Sequence, residues 1–453
     1  MYRKKNREVQ VEEVKISLEA LVPEKHILRV IDKAIDFSFI YEEVEGLYSE
    51  KGRPGIDPVS LFKIVFIQYL FGIRSMRQTI KEIEVNVAYR WFIGYSLTEP
   101  VPHFSTFGKN YVRRFATTDI FERIFKRILE ESEKSGYVDA SAIFIDSTHI
   151  KASANKNKSK EVKVTKPIKQ YQLELEEEIN EQRKADGKKK IAAAEPEEMT
   201  RKISTTDSDS GLFVKGEHER CFAYSTQTAC DKHGFVLGFE VGAGNLHDGQ
   251  MFHELYKKMD LSKTEVVAVD AGYKTVGVLR EIFLSGKIPA VPYTRPKTKD
   301  GFFRKSNYVY DEYFDCYICP QNQVLKYTTT NREGYRQYKS EARICQNCPC
   351  RTSCTLSRNT TKVILRHVWS KYLEEAEHLR HDPQIRDIYK KRKETIERVF
   401  ADAKERHCLR YTNYRGLAKV KVQVALIFSC LNMKKLAKRK RKDFLVFFFL
   451  RFY

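Results

Sequence analysis

Two short apolar runs in this chain end in the same way. Ile143-Phe144-Ile145 stops at Asp146, and Val266-Val267-Ala268-Val269 stops at Asp270. Runs of this length, apolar at every position, read as strands buried on both faces, which belong in an α/β sheet. Each delivers a carboxylate to the edge of the core, where an unpaired charge is expensive. Ligands of open α/β sheets gather beyond the carboxyl ends of the strands. If the two strands are neighbours, their aspartates meet there, and each raises the other's pKa unless a cation lies between them. Oxygen-only ligands select hard ions, so the pair predicts Mg²⁺ or Mn²⁺.

The surrounding pattern supports such a sheet. Residues 142–150 read as one strand, and Cys221 to Asp231 with Phe235 to Gly242 as a hairpin around Lys232-His233-Gly234. Val276 to Leu284 reads as a helix, Ile288 to Val291 as a further strand, and 370–408 and 417–438 as helices. This order predicts an α/β fold with one mixed sheet. Residues 1–135 read as all-helical. A helix at Pro23 carries Ile27, Leu28, Ile31, Ala34 and Ile35. A turn at 52–56 leads to Asp57 as N-cap and Pro58 as first helical residue. Ser75 caps a second helix, and a third from Ser105 to Phe115 exposes Lys109, Arg113 and Arg114. Short helices with basic edges predict a DNA-binding region. A plain helical bundle with solvated arginines is the alternative.

A third carboxylate would complete a metal site. Glu397, in Thr-Ile-Glu-Arg-Val-Phe-Ala-Asp-Ala-Lys, lies at the margin of an apolar helix face made by Ile396, Val399, Phe400 and Ala403. Lys404 follows two turns later, placed to hold a phosphate. Glu394 and Asp402 lie on the same helix as rivals. Carboxylates holding two divalent ions suit phosphoryl transfer. Lys plus Arg number 81 against 60 Asp plus Glu, a net charge of +21 spread along the chain, and this favours a polyanion as partner.

Together these residues resemble the DDE insertion-sequence transposases with an RNase H-like core. The likeness rests on Ile-Asp-Ser-Thr-His-Ile-Lys-Ala around Asp146, Val-Asp-Ala-Gly-Tyr-Lys around Asp270, Ile-Glu-Arg-Val-Phe at Glu397 with Lys404, and Tyr-Arg-Gly-Leu-Ala-Lys-Val at 414–420. It extends to the N-terminal helical region from Asp57 to Phe115. The resemblance implies that Asp146, Asp270 and Glu397 are a catalytic, metal-binding triad for two Mg²⁺ or Mn²⁺ ions. It implies that Lys404, Arg415, Lys109, Arg113 and Arg114 contact DNA. It further implies cleavage and strand transfer at terminal inverted repeats of double-stranded DNA by a homodimer. A nuclease of the same fold and an inactive, transposase-derived DNA-binding protein are the alternatives. One departure stands out. Related transposases carry Tyr-x₂-Arg-x₃-Glu-x₆-Lys, whereas Tyr389 and Arg392 sit one residue out of register with Glu397, which leaves their roles unassigned.

Between the strands and the last helices, Cys316-x₂-Cys319 and Cys345-x₂-Cys348, with Cys350 and Cys354, are spaced like a small zinc ribbon. Structural Zn²⁺ held by four of them is expected. Cys319, Cys345, Cys348 and Cys354 form the set to compare first with the related proteins, and Cys316 would complete a simpler ribbon. Cys221, Cys230, Cys408 and Cys430 read as small core residues. His247 in Asn-Leu-His-Asp could touch a phosphate, while Asp248 reads as a helix cap. Trp369 reads as core or as a stacking platform, core being favoured.

The expected organisation is therefore a helical DNA-binding domain at 1–135 and a catalytic domain at 136–294 with 366–438. The charged segment 155–210 interrupts the catalytic domain as a mobile hairpin or solvated helix. The cysteine-rich insert spans 295–365, and 439–453 is a basic, then apolar, tail. Neither a signal peptide nor a run long enough to span a bilayer is visible, so a cytoplasmic, nucleoid-associated protein is expected, with no membrane partner.

Overall fold

The computed structural model describes residues 15–49, 51, 55–165, 171–191, 198–215, 219–295 and 297–451, excepting the side chains of 215, 219 and 444–451. The expected turn at 52–56 falls partly outside the described residues, as do the side chains of the apolar tail. By contacts the chain forms two compact units. One comprises Met1–Val138, Ala401–Arg410 and Lys421–Tyr453; the other comprises Asp139–Phe400 and Tyr411–Val420. This differs from the expected division, because most of the last helix packs with the N-terminal helices.

The first unit is all-helical. Asp57 caps the helix Pro58–Leu70 by accepting the Ser60 N–H at 2.7 Å, and Ser75 caps Met76–Val85 through the Gln78 N–H at 3.2 Å. The first long helix begins later than expected: His26 caps Ile27–Ala34, and Pro23 lies before it. The aromatic rings of Phe37, Phe62, Phe66, Phe92, Phe115 and Phe121 pack on one another in the core. The end of Pro58–Leu70 exposes carbonyls that need partners. His407 Nδ1 lies 2.8 Å from the Tyr69 carbonyl oxygen, and Lys434, on the helix Leu417–Arg451, donates to the Leu70 oxygen. The turn itself needs Gly72, whose φ is +66° and where a Cβ would lie 2.9 Å from the Arg406 carbonyl oxygen.

The second unit holds an eight-stranded sheet. Its strands are β1 (Ala142–Lys151), β2 (Ser159–Thr165), β3 (Glu198–Ser204), β4 (Gly211–Lys215), β5 (Glu219–Cys230), β6 (Val236–Ala243), β7 (Val266–Val269) and β8 (Ile288–Ala290). The order is β2-β3-β4-β5-β1-β7-β8, and β6 pairs the second half of β5 where β4 leaves it. Strand β1 runs antiparallel to β5 but parallel to β7, which is parallel to β8. The helices Asp248–Lys258 and Val276–Leu284 cover one face, burying Ile143, Ile145, Val267 and Val269 against Phe252 and Leu279. This mixed α/β architecture is consistent with an RNase H-like fold.

The charged segment pairs β2 with β3 over seven residues and places the helix Gln172–Ala185 between them. That helix is not solvated all round, because Leu175 and Ile179 are buried with Trp369. Trp369 is a core residue, 2% exposed, and its Nε1 donates to Glu178 at 2.6 Å. The cysteine-bearing segment forms a second, antiparallel sheet from β9 (Val309–Asp311), β10 (Cys316–Ile318), β11 (Val324–Thr330), β12 (Tyr335–Lys339) and β13 (Val363–His367). Tyr308, Tyr317, Leu325, Tyr338 and Ile364 fill its core. Among the described residues no helix is long and apolar enough to cross a membrane.

His407 makes acid the weak point of the helical unit. Burial, and then the charge of Lys434, push its imidazole down to about 4, against the pull of the Tyr69 carbonyl. As pH falls from 6.5 towards 4, the unfolded chain takes up a proton that the folded chain refuses, so stability is lost. Wild type should lose up to about 3 kcal/mol more than His407→Gln across that window in chemical denaturation. Equal losses would show that the imidazole is not held neutral.

Candidate active site

The parallel register of β1 and β7 sets the geometry. Ala142 lies opposite Val266 and Ile145 opposite Val269, so Asp146 and Asp270 are the next residues along two adjacent strands. Their carboxylates converge on one cation. Arg392 donates from one terminal nitrogen to Asp146 Oδ2 at 2.6 Å and from the other to Asp270 Oδ1 at 3.3 Å. The remaining Asp146 oxygen, Oδ1, accepts the Ser147 N–H at 2.8 Å. Asp146 is mostly buried and Asp270 half exposed, while the Arg392 side chain is 7% exposed.

Burial pushes the Asp146 carboxyl up to about 6. The Arg392 guanidinium and the Ser147 N–H resist this, and the charges of Asp270 and Asp248 add to the rise. Arg392 is itself buried, yet the two carboxylates hold it firmly protonated. Tyr273 is buried and feels the charge of Asp146. Its phenol is pushed well above its ordinary range by burial, then by Asp248 and Asp146. Asp248 is the first residue of its helix; the cap is His247, whose Nδ1 accepts the Gly249 N–H at 3.2 Å, in place of the capping role expected for Asp248. Gln227 of β5 fixes the start of this helix by donating to the Asp248 carbonyl at 2.7 Å.

Arg392 is the residue that sequence reasoning left without a role. It lies on a 3₁₀ turn, Lys391–Glu394, between the helices Pro383–Lys390 and Ile396–Arg406. Thr395, at φ −109° and ψ −92°, breaks the helical path, and its Oγ1 bonds the Lys391 carbonyl at 2.8 Å. The break falls between Arg392 and Glu397, where the chain carries its extra residue. The Tyr-x₂-Arg spacing was the available signal, and the Tyr389 ring centroid lies 5.7 Å from the Arg392 Cζ.

Glu397 is exposed in the first turn of Ile396–Arg406, and among the described residues no trio of His, Cys, Asp or Glu is arranged to hold a metal. The third carboxylate is thus not brought to the pair. Lys404 is half-buried on the same helix. Arg415 is exposed, and its Nε donates to the Ser153 carbonyl at 3.1 Å. Lys109 and Arg113 are exposed as expected, but Arg114 is engaged, bonded to Asn110 and lying 4.4 Å over the Tyr48 ring. His149 stacks on Phe213 at 3.7 Å.

Five cysteines, Cys319, Cys345, Cys348, Cys350 and Cys354, line one narrow hollow in the insert, whereas Cys316 is buried in β10 and lies outside it. All six are free thiols. Tyr308 Oη and Cys354 Sγ are 3.1 Å apart, and burial pushes the Cys354 thiol up. The donor chemistry suits zinc, but no three of these thiols converge as ligands among the described residues. For Mg²⁺ or Mn²⁺ the fit is better, since Asp146 and Asp270 already share one cation through oxygen alone.

With this geometry in place, the comparisons bear on class. A family model described as a transposase domain (DUF772) matches residues 16–113, and one described as a transposase DDE domain matches 318–437. The second span includes Arg392, Glu397, Lys404 and Arg415, while Asp146 and Asp270 lie between the two matches. Searches among curated proteins and among solved structures gave no match. The chain therefore carries two transposase-family domains, and they support a general function as a transposase, an enzyme acting on DNA.

The loop that carries Arg415 is anchored by the charged segment. Asp207, 4% exposed, accepts the Tyr224 hydroxyl at 2.8 Å and the Gly416 N–H at 3.1 Å through Oδ1, and Asp209 accepts the Leu417 N–H at 2.9 Å. Asp207→Ala would strand the buried Tyr224 hydroxyl and the part-buried Gly416 N–H and should cost about 2–4 kcal/mol. Tyr224→Phe removes only one of the bonds and should cost about 1 kcal/mol. Chemical unfolding of both variants checks the ranking.

Proposed function

We propose that this protein is a DDE-type DNA transposase that binds the terminal inverted repeats of an insertion sequence and carries out metal-dependent cleavage and strand transfer. The observation that carries this reading is the pair of aspartates that directly follow the last paired residues of two adjacent parallel strands, Ile145 of β1 and Val269 of β7, and converge on one cation. The two transposase-family matches and the net charge of +21 favour DNA as the substrate.

Asp146 and Asp270 would hold Mg²⁺ or Mn²⁺, with Glu397 completing the ligand set. Two such ions, when bound, activate an attacking oxygen and steady a leaving one. The chain's own contribution is positional. The β1–β7 register fixes the distance between the carboxylates, and the Ser147 N–H fixes the rotation of Asp146. Lys404 and Arg415 would hold phosphates of the DNA, and Lys109 and Arg113 would bind the duplex. Both steps are in-line exchanges at phosphorus. Water enters and the 3′-oxygen of the element end leaves as a hydroxyl. That hydroxyl then enters at a target phosphorus and a target 3′-oxygen leaves, so one phosphodiester replaces another. Joining two ends implies two active sites, and a homodimer on DNA fits that need. In the insert, a structural Zn²⁺ would be held by four of Cys319, Cys345, Cys348, Cys350 and Cys354, the gathering of five thiols in one hollow being its support.

Purified protein with Mg²⁺ or Mn²⁺ and the DNA flanking its gene should cut at a pair of inverted repeats and yield joined products. Asp270→Asn should lower cutting by about 10²–10³-fold or more, the scale of loss when one group that stabilises transition-state charge is removed. Cutting without joining would favour a nuclease of the same fold, and binding without cutting in both proteins an inactive derivative. Elemental analysis should find one zinc per chain, removed by chelation with loss of the insert's fold. A metal-free, folded insert would rule the zinc site out.

A further inference from the structure

Arg392 occupies the place where the proposed metal would bind. Its two terminal nitrogens bond one oxygen each from Asp146 and Asp270, at 2.6 and 3.3 Å, and the Ser147 N–H takes the other Asp146 oxygen. One oxygen of each aspartate is thus already engaged by a cation. Arginine does not lose its proton in proteins, so this cation cannot be neutralised and can only move.

We infer that Arg392 is a tethered stand-in for the metal, which keeps the paired aspartates together in the metal-free enzyme and must withdraw before a divalent ion can bind. The inference rests on the reading of Asp146 and Asp270 as metal ligands. A divalent cation and a guanidinium cannot share these two carboxylates, since they would compete for the same oxygens and repel each other at contact distance. The backbone offers a way out. Arg392 lies on a 3₁₀ turn flanked by the break at Thr395, a short irregular segment that can rearrange without unwinding either neighbouring helix. The same short segment carries Glu397, exposed in the first turn beyond the break. One rearrangement of Lys391–Ile396 would remove the internal cation and let the third carboxylate approach. Arg392 is in this sense a positioning residue, acting through the two aspartates.

The test compares Mn²⁺ binding by calorimetry in the full-length wild type, Arg392→Gln and Arg392→Lys. Arg392→Gln should bind Mn²⁺ at least tenfold more tightly than wild type, while its metal-free thermal midpoint falls. Arg392→Lys, which keeps the charge, should return affinity and midpoint towards wild type. A purely structural arginine would lower the midpoint and leave Mn²⁺ affinity equal or weaker, which would overturn the inference while the metal reading stands. If neither wild type nor Arg392→Gln binds Mn²⁺, both fall. A second measurement needs only wild type: phenylglyoxal labelling of Arg392, read by peptide mass spectrometry. Labelling should rise several-fold on Mn²⁺ addition, and unchanged or reduced labelling would overturn the withdrawal.

Discussion

The second unit is organised around one electrostatic constraint: two carboxylates held side by side by the parallel pairing of β1 and β7. Strand pairing up to Ile145 and Val269 sets the two backbones side by side, and burial of Asp146 leaves its charge in need of a partner. A cation must therefore be supplied, and Arg392 supplies it from more than a hundred residues beyond Asp270. Removing one partner of a buried ion pair costs about 3–5 kcal/mol, because the other charge is left stranded. Asp270 is half exposed, so the larger share of that cost attaches to Asp146. Burial dominates there, and the carboxyl is driven up to about 6 even with a guanidinium in contact. A carboxylate so placed is poorly compensated by one monovalent cation, which is the condition under which a doubly charged ion gains most.

Segments remote in sequence are drawn to the same sheet by similar means. Asp207 and Asp209, in the charged segment, accept the N–H groups of Gly416 and Leu417, and Thr412 donates to the Lys151 carbonyl at the end of β1. The loop bearing Arg415 is thereby fixed at the far end of the strand that carries Asp146. The anchoring aspartates lie in a stretch that composition marks as solvated. A polar run need not be idle when its carboxylates can serve as acceptors for a helix N-terminus.

How much of this the sequence disclosed depended on the range of the interaction. Local signals were readable: Asp57 and Ser75 as helix caps, the apolar runs ending in Asp146 and Asp270, and the β5–β6 hairpin all follow from neighbours within a few residues. His247 displaced Asp248 as a cap because an imidazole nitrogen can accept an N–H as a carboxylate does, and spacing cannot choose between adjacent acceptors. The helix Gln172–Ala185 looked solvated because only Leu175 and Ile179 face inward, and their partner Trp369 comes from the far side of the cysteine insert. Arg114 looked exposed, yet Tyr48 and Asn110 claim it. Trp369 and Tyr48 are remote in sequence, so neither pairing could be read from neighbours.

The register of Arg392 and Glu397 is the instructive case. On an uninterrupted α-helix, residues four apart lie about 40° from one another around the axis, whereas residues five apart are separated by about 140°. The extra residue in this chain would therefore turn the two side chains away from each other if the helix ran straight through. It does not. The 3₁₀ turn Lys391–Glu394 and the break at Thr395 separate the rotation of Arg392 from that of the helix beginning at Ile396. Arg392 can then reach both aspartates while Glu397 stands exposed, a division that a rigid helix with the shorter spacing would not allow. The added residue thus loosens the coupling between an internal cation and a distal carboxylate. That loosening is what an exchange of one for the other at the strand ends requires.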